Sequence, residues 1–104
     1  MKSLHELANL IESRKGADPS TSWTAKLLAA GSEKAAQKFG EEAIEAIVEA
    51  VKGDKDALTS EAADTLYHFL VMLTACDISL DDVLQELGRR SGTSGIAEKA
   101  SRKN

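Results

Sequence analysis

The chain has 104 residues, of which 42% are hydrophobic and 29% charged, and these values suit one ordinary globular domain. Its net charge is -4, yet residues 89–104 hold five Lys or Arg and one Glu. An acidic body with a short basic tail argues against nucleic-acid binding, which needs a broad basic surface. Because the sequence has no signal-peptide pattern and no apolar run near the ~20 residues that cross a bilayer, we expect a cytoplasmic protein without a membrane segment.

Helix-forming residues dominate and aromatic residues make up only 4% of the chain, which predicts an all-α fold. Apolar spacing and breakers predict five helices, at residues 3–13, 23–30, 32–52, 56–76 and 80–90. A loop at 16–22 contains the only proline, Pro19. Ser22 and Ser32 are predicted helix caps, and Ser79 with Asp82 resembles a capping box for the fifth helix.

Two helices carry predictions about burial. The third helix repeats apolar residues every three or four positions, which predicts one buried face: Ala36, Phe39, Ala43, Ile47 and Ala50. The fourth helix has no charged residue from 65 to 76, so we expect this stretch to be buried on most sides. Cys76, the only cysteine, lies at its end and is predicted to be a small core residue.

The chain is expected to divide into an all-α domain at residues 1–90 and a small, polar, basic tail at 91–104, mobile without ligand. A domain of this size buries a modest share of its surface. Assembly with a second copy is therefore plausible from the sequence.

Carboxylates form two short motifs, EEAIE at 41–45 and EAAD at 61–64. Residues three apart on a helix project from nearly the same side, which pairs Glu42 with Glu45 and Glu61 with Asp64. If the two helices are antiparallel neighbours, the pairs can face each other around one pocket. Four carboxylates in a pocket suit Mg²⁺, which prefers oxygen ligands and bridges to substrate phosphates.

Structural explanations remain open for each of these residues. The carboxylates of the third helix share a side with three lysines, as on an ordinary solvated face. Glu61 and Asp64 lead into an apolar stretch and need a partner, which can be a metal or a lysine of the third helix. His68, four residues beyond Asp64, could orient that carboxylate, contact a phosphate or satisfy a hydrogen bond in the core.

Four segments carry a family resemblance: SWTAKLL at 22–28, KFGEEA at 38–43, EAADTLYH at 61–68 and GIAEKASR at 95–102. In order and spacing they resemble the phosphoribosyl-ATP pyrophosphatases, which belong to the MazG-like all-α nucleotide pyrophosphohydrolases. The superfamily pattern is Glu-Glu-x-x-Glu followed by Glu-x-x-Asp. The chain departs from the family at Trp23, where tyrosine is frequent, and at Phe39, where smaller residues are common.

The resemblance implies a MazG-like bundle of four to five helices, assembled as a homodimer. It also implies hydrolysis of phosphoribosyl-ATP to phosphoribosyl-AMP and pyrophosphate, the second step of histidine biosynthesis. Carried over by position, the motif makes Glu42, Glu45, Glu61 and Asp64 ligands of Mg²⁺, with Glu41 either supporting a ligand or activating water. The cationic candidates for phosphate contacts are Lys26, Lys34, Lys38 and Arg89, joined by His68.

Two other functions are compatible with these residues. A house-cleaning pyrophosphatase acting on nucleoside triphosphates would use the same four carboxylates. A non-catalytic helical dimerisation module would need none of them. The missing Glu-x-x-His pairs disfavour a ferritin-like iron site.

Overall fold

The computed structural model of the protein describes residues 3–91. These residues form five α-helices and no strand, which confirms the predicted fold class. The helices are α1 (Leu4–Ser13), α2 (Trp23–Ala29), α3 (Ser32–Lys52), α4 (Lys55–Ala75) and α5 (Leu80–Arg90). Within this part of the chain no helix is both long enough and apolar enough to span a membrane.

Side-chain caps begin four of the five helices. Ser3, Ser22, Asp54 and Ser79 each accept a hydrogen bond from the backbone N–H three residues further on, which satisfies a donor that the helix leaves unpaired. The capping box of Ser79 and Asp82 forms as predicted. The predicted cap at Ser32 is wrong, because Ser32 is the first residue of α3. The capping position is Gly31, which has no side chain to make a cap hydrogen bond.

α3 and α4 form a long antiparallel hairpin. Each has 21 residues, which corresponds to about 31 Å at 1.5 Å per residue. Gly53 ends α3 in the left-handed region at φ 79°, and Asp54 caps α4. The rings of Phe39 and Phe69 lie 5.6 Å apart between the two helices. This turn and this contact set which residues of α3 face which residues of α4.

The core lies at the end of the hairpin that is far from its turn. There α1 and α2 pack against the second half of α4, and the buried apolar residues are Ile11, Leu27, Ala35, Leu70, Val71, Leu73 and Leu80. The prediction that 65–76 is buried on most sides holds in part, because five of the twelve positions are buried and five are half-buried, while Leu66 is 48% exposed. Cys76, however, is exposed. Its predicted burial was wrong because α4 ends at Ala75 and Cys76 follows on the turn.

The half of the hairpin near its turn has little cover in the single chain. The predicted buried face of α3 is wrong for Ala36, Ile47 and Ala50, which are exposed, while Phe39 and Ala43 are half-buried. Among the described residues of α3 only Ala35 is buried. We call the exposed large apolar side chains of α3 the outer row; they are Ile44, Ile47, Val48 and Val51, with exposures between 47% and 83%.

α5 ends at Arg90, close to the predicted end of the domain at residue 90. Two of its leucines, Leu84 and Leu87, are exposed in the single chain. Of the predicted tail at 91–104 only Ser91 is described, as the cap that follows α5, and the GIAEKASR segment at 95–102 lies outside the described residues. The division at residues 90 and 91 therefore stays a prediction.

Candidate metal centre and substrate site

Three of the four predicted carboxylate ligands meet on the α3–α4 hairpin. Glu42 and Glu45 come from α3 and Glu61 from α4, and one carboxylate oxygen of each lies within 4.8 Å of the other two. The spacing of three residues puts the α3 pair on one side, and the antiparallel turn brings α4 opposite. Glu42 and Glu61 are half-buried, while Glu45 is exposed.

Asp64, the fourth predicted ligand, is exposed and lies outside this group of three. It stands one turn beyond Glu61 on the same side of α4. Its charge is close enough to raise the pKa of Glu61. Asp64 therefore borders the cluster without joining it in this conformation.

Glu61 has the most perturbed environment of the three. Desolvation is the main cause that raises the pKa of its carboxyl, followed by the charge of Glu45 and the hydrogen bond and charge of Glu42. Its Oε2 atom is buried without a hydrogen-bond partner among the described residues. Buried carboxylates of like charge favour a proton or a cation. A buried, unpartnered oxygen beside two further carboxylates thus fits a divalent cation with oxygen ligands.

Glu41 lies outside the cluster although it is next to Glu42 in sequence. It is exposed on α3 and accepts a hydrogen bond from Gln37 at 3.1 Å, and Lys38 Nζ lies 3.6 Å from its other oxygen. The Gln37 hydrogen bond is the main cause that lowers the pKa of Glu41, with Lys38 and Lys34 contributing. Glu41 therefore stays ionised at neutral pH.

The cationic candidates lie in different surroundings. Lys38 is 28% exposed beside Glu41, and Lys34 is exposed one turn earlier on α3. Lys26 lies on α2 with its ammonium 5.7 Å from the ring centroid of Trp23. Arg89 donates to Glu86 within α5, at 3.0 Å from Nε to Oε1. The structure thus brings Lys38 next to the acidic segment and ties Arg89 to a carboxylate on its own helix.

His68 is 7% exposed, and its Nδ1 atom is buried without a hydrogen-bond partner among the described residues. Its ring stands edge-on to Tyr67, with ring centroids 5.0 Å apart. The predicted alternative of a histidine satisfied in the core leaves this nitrogen unexplained. His68 is one turn beyond Asp64 along α4, on the side that leads to the cluster.

Several features escaped the sequence analysis. Thr24 Oγ1 and Tyr67 Oη share a hydrogen bond of 2.5 Å that ties α2 to α4. A cavity of about 240 Å³ between α1 and the α4–α5 turn is lined by His5, Lys15 and Thr74, among others, and contains none of the predicted site residues. Contacts between residues so far apart in sequence have no periodic signal that could have revealed them.

Comparison with known proteins identifies the family of the chain. Residues 4–91 match the family described as "Phosphoribosyl-ATP pyrophosphohydrolase", and this range contains all four predicted ligands. A phosphoribosyl-ATP pyrophosphatase of Ruegeria pomeroyi is 72% identical over 102 residues, covering 98% of this chain and 97% of that protein. The protein of the same name from Paracoccus denitrificans is 72% identical over 96% of this chain and 93% of its own length. A third, from Jannaschia sp., is 68% identical over 98% of this chain and all of its own length. The chain belongs to the phosphoribosyl-ATP pyrophosphohydrolase family.

Proposed function

We propose that this protein hydrolyses phosphoribosyl-ATP to phosphoribosyl-AMP and pyrophosphate, the second step of histidine biosynthesis, in the cytoplasm. Family membership and the names of its relatives support the reaction. The observation that carries the proposal is the meeting of Glu42, Glu45 and Glu61 within 4.8 Å. A pyrophosphohydrolase acts on a polyanion, and such an acidic cluster can receive one only together with a cation.

The cation that we propose is Mg²⁺, held by Glu42, Glu45, Glu61 and Asp64. The unpartnered Oε2 of Glu61 and the raised pKa of its carboxyl support this assignment. Asp64 is included because it borders the cluster and is exposed, so its side chain can change rotamer without disturbing the core. When bound, Mg²⁺ would offset charge on the phosphate oxygens and on the departing pyrophosphate.

The protein's own groups orient the reactants. The ionised carboxylate of Glu41 can accept a hydrogen bond from the attacking water and orient it beside the cluster. Its Lys38 partner can donate to a phosphate oxygen, with Lys34, Lys26, Arg89 and His68 as further phosphate contacts. No covalent nucleophile is required.

We also propose that the protein is a homodimer joined through the outer row of α3. The residues of the outer row recur every three or four positions, as on a buried helix face. They are nevertheless exposed in the single chain, and Val51 is 83% exposed. The free energy gained by removing apolar surface from water favours covering such a row. Because the carboxylate cluster is on the same half of the hairpin, a second copy would also approach the site.

The decisive experiment measures pyrophosphate release by the purified protein from phosphoribosyl-ATP, with Mg²⁺ and with a chelator. A panel of ordinary and oxidised nucleoside triphosphates is assayed beside it. We expect Mg²⁺-dependent release that is fastest from phosphoribosyl-ATP. Faster turnover of a plain nucleoside triphosphate would instead indicate a house-cleaning enzyme, and no turnover of any substrate would indicate a non-catalytic module.

A further inference from the structure

The only tryptophan of the chain lies at the surface, at the first residue of α2. Trp23 is 57% exposed, although the buried residues of the same helix, Ala25 and Leu27, already join α2 to the core. Beside its ring an open cavity of about 580 Å³ is lined by residues 19–22, Trp23 and Lys26. Among the described residues, the indole is not part of the hydrophobic core or of the residues packed against it.

The wall of this cavity is held in one shape by local hydrogen bonds. The Asp18 carboxylate accepts from the N–H of Ser20 at 2.9 Å and from its hydroxyl at 2.8 Å. The backbone N–H of Thr21 donates to the carbonyl of Asp18 at 3.1 Å. Ser22 caps α2, and the Thr24–Tyr67 hydrogen bond fixes that helix on α4. A preformed wall lowers the entropy lost when a ligand is ordered.

The helix that begins at Trp23 is joined to the helix that carries Glu61 and Asp64, through the hydrogen bond between Thr24 and Tyr67. Glu61, Asp64 and Tyr67 follow one another at intervals of three residues, so they are neighbours along the surface of α4. From Glu61 to Tyr67 the helix rises about 9 Å. Tyr67 is hydrogen-bonded to Thr24, the residue after Trp23. A nucleotide with its phosphates at the cluster can thus extend along α4 towards the indole.

The chemistry at Trp23 suits a nucleobase. The flat face of an indole stacks on the face of a base. The Lys26 ammonium lies over one face of this indole, 5.7 Å from the ring centroid, so a base would stack on the opposite face. We infer that Trp23, with Lys26 and residues 19–22, forms a stacking surface for the purine base of the substrate. The inference rests on the proposed function, which supplies a purine nucleotide at the neighbouring carboxylates.

Because Trp23 is the single tryptophan, intrinsic fluorescence reports on this surface directly. The full-length protein is titrated with AMP, in the presence of a chelator and with excitation corrected for nucleotide absorbance, and ribose 5-phosphate is titrated as the control without a base. We expect saturable quenching by AMP and none by ribose 5-phosphate. Absence of quenching by AMP, or equal quenching by both, overturns the inference. A Trp23 fluorescence that changes with protein concentration but not with AMP also overturns the inference, since the indole would then be covered by a second copy.

Two substitutions separate stacking from mere apolar contact. Trp23→Phe keeps an aromatic face, while Trp23→Leu keeps apolar volume without one. By calorimetry we expect Trp23→Leu to weaken AMP binding between about 5-fold and about 150-fold, the range for loss of one base–aromatic stack, and Trp23→Phe to retain most of the affinity. The KM for phosphoribosyl-ATP should rise in the same order with kcat nearly unchanged, as for binding remote from the reacting bond.

Leu10→Ala, at an exposed position of α1, is the control variant and should bind AMP like the parent. Equal affinities of the Leu and Phe variants would contradict the inference, and the titration of the parent protein decides it if either variant does not fold. Hydrolysis of phosphoribosyl-ATP without quenching by AMP would remove the stacking surface and leave the proposed function intact. Quenching by AMP without hydrolysis of phosphoribosyl-ATP would leave the stacking surface intact and contradict the proposed function.

Discussion

Glu45 and Glu61 bring carboxylate oxygens within 4.8 Å of each other across the α3–α4 hairpin, and the charge of Glu45 helps to raise the pKa of Glu61. Neither residue belongs to the core, which lies at the other end of the hairpin. The repulsion between them therefore serves no purpose in packing. A site that destabilises the metal-free protein is expected where function requires charges to be held together.

Replacing Glu61 with Gln should abolish Mg²⁺ binding and lower turnover by about 100-fold or more, the scale for losing one charge-stabilising group of an active site. The metal-free variant should also melt at a higher temperature than the parent, because a neutral amide removes the desolvation of a carboxylate and its repulsion by Glu45 and Glu42. Calorimetric Mg²⁺ titration, pyrophosphate release and thermal melting measure the three effects.

Glu33→Gln is the matched control for this variant. It removes the same charge from an exposed position in the first turn of α3 and should leave Mg²⁺ affinity and turnover unchanged. A Glu61→Gln protein that binds Mg²⁺ as tightly as the Glu33→Gln protein would refute the metal assignment.

The raised pKa of Glu61 predicts how stability depends on pH. A carboxyl whose pKa is higher in the folded state keeps its proton at a pH where the unfolded chain has released it. Glu61 therefore lowers the free energy of unfolding as the pH rises. The decrease begins near the pKa of this carboxyl in the unfolded chain, about 4.3, and continues through its higher pKa in the folded protein. The difference in unfolding free energy between the parent and Glu61→Gln isolates this contribution.

That subtraction is needed because Glu86 acts in the opposite direction. The hydrogen bonds of Arg89 and Arg90 lower the pKa of Glu86 to about 2. Glu86 therefore stabilises the folded protein at a pH above the pKa of its carboxyl in the unfolded chain. This stabilisation is lost as the pH falls towards about 2. Urea unfolding of both proteins at several pH values, without metal and with saturating Mg²⁺, gives the measurement. We expect the gain in unfolding free energy from Mg²⁺ to increase in the parent as pH rises. A gain that does not change with pH would contradict the assignment of Glu61 as a metal ligand.

Val51→Lys tests the proposed dimer. Val51 is the most exposed member of the outer row, so a lysine there should change the stability of a single chain very little. In a dimer joined through this row the same lysine would be buried without a partner, which is strongly unfavourable. Light scattering after gel filtration should show a dimeric parent and a monomeric variant.

Leu10→Lys makes the same kind of change on α1, at a position 45% exposed. It should leave the mass of the assembly unaltered. A monomeric parent at micromolar concentration, or a Val51→Lys variant that remains dimeric, would show that the outer row is not the interface.

Local rules predicted the helices well because their ends are set by neighbouring residues. The capping box of Ser79 and Asp82 is one example, since it needs only two side chains at the right spacing. The same rules failed at Cys76, where the apolar pattern continued one residue past the end of α4. They also failed at Ile47, because periodicity marks a residue for burial without saying whether its own chain or another copy covers it.

The carboxylate cluster was predictable in outline for the same reason. Spacing by three residues places Glu42 with Glu45, and a two-residue turn brings Glu61 opposite them. Spacing does not fix rotamers, and Asp64 lies outside the group of three, although its charge contributes to the raised pKa of Glu61. The surface around Trp23 depends on a contact between Thr24 and Tyr67, 43 residues apart, which no short motif encodes.

Gly53→Ala and Gly88→Ala should change stability in opposite directions, although each adds one methyl group. Apart from the adjacent residues and, for Gly88, the backbone of its own helix, no atom lies within 4 Å of either new carbon. Gly53 ends α3 at φ 79°, a conformation that disfavours alanine by about 1–2 kcal/mol. Gly88 is within α5, where alanine has the better helix propensity and should stabilise the protein by about 0.4–1 kcal/mol. At about 4–8 °C per kcal/mol for a domain of this size, thermal melting at one fixed protein concentration resolves both shifts. A melting temperature for Gly53→Ala equal to or above that of the parent would show that the left-handed turn does not limit the stability of the hairpin that holds the carboxylates.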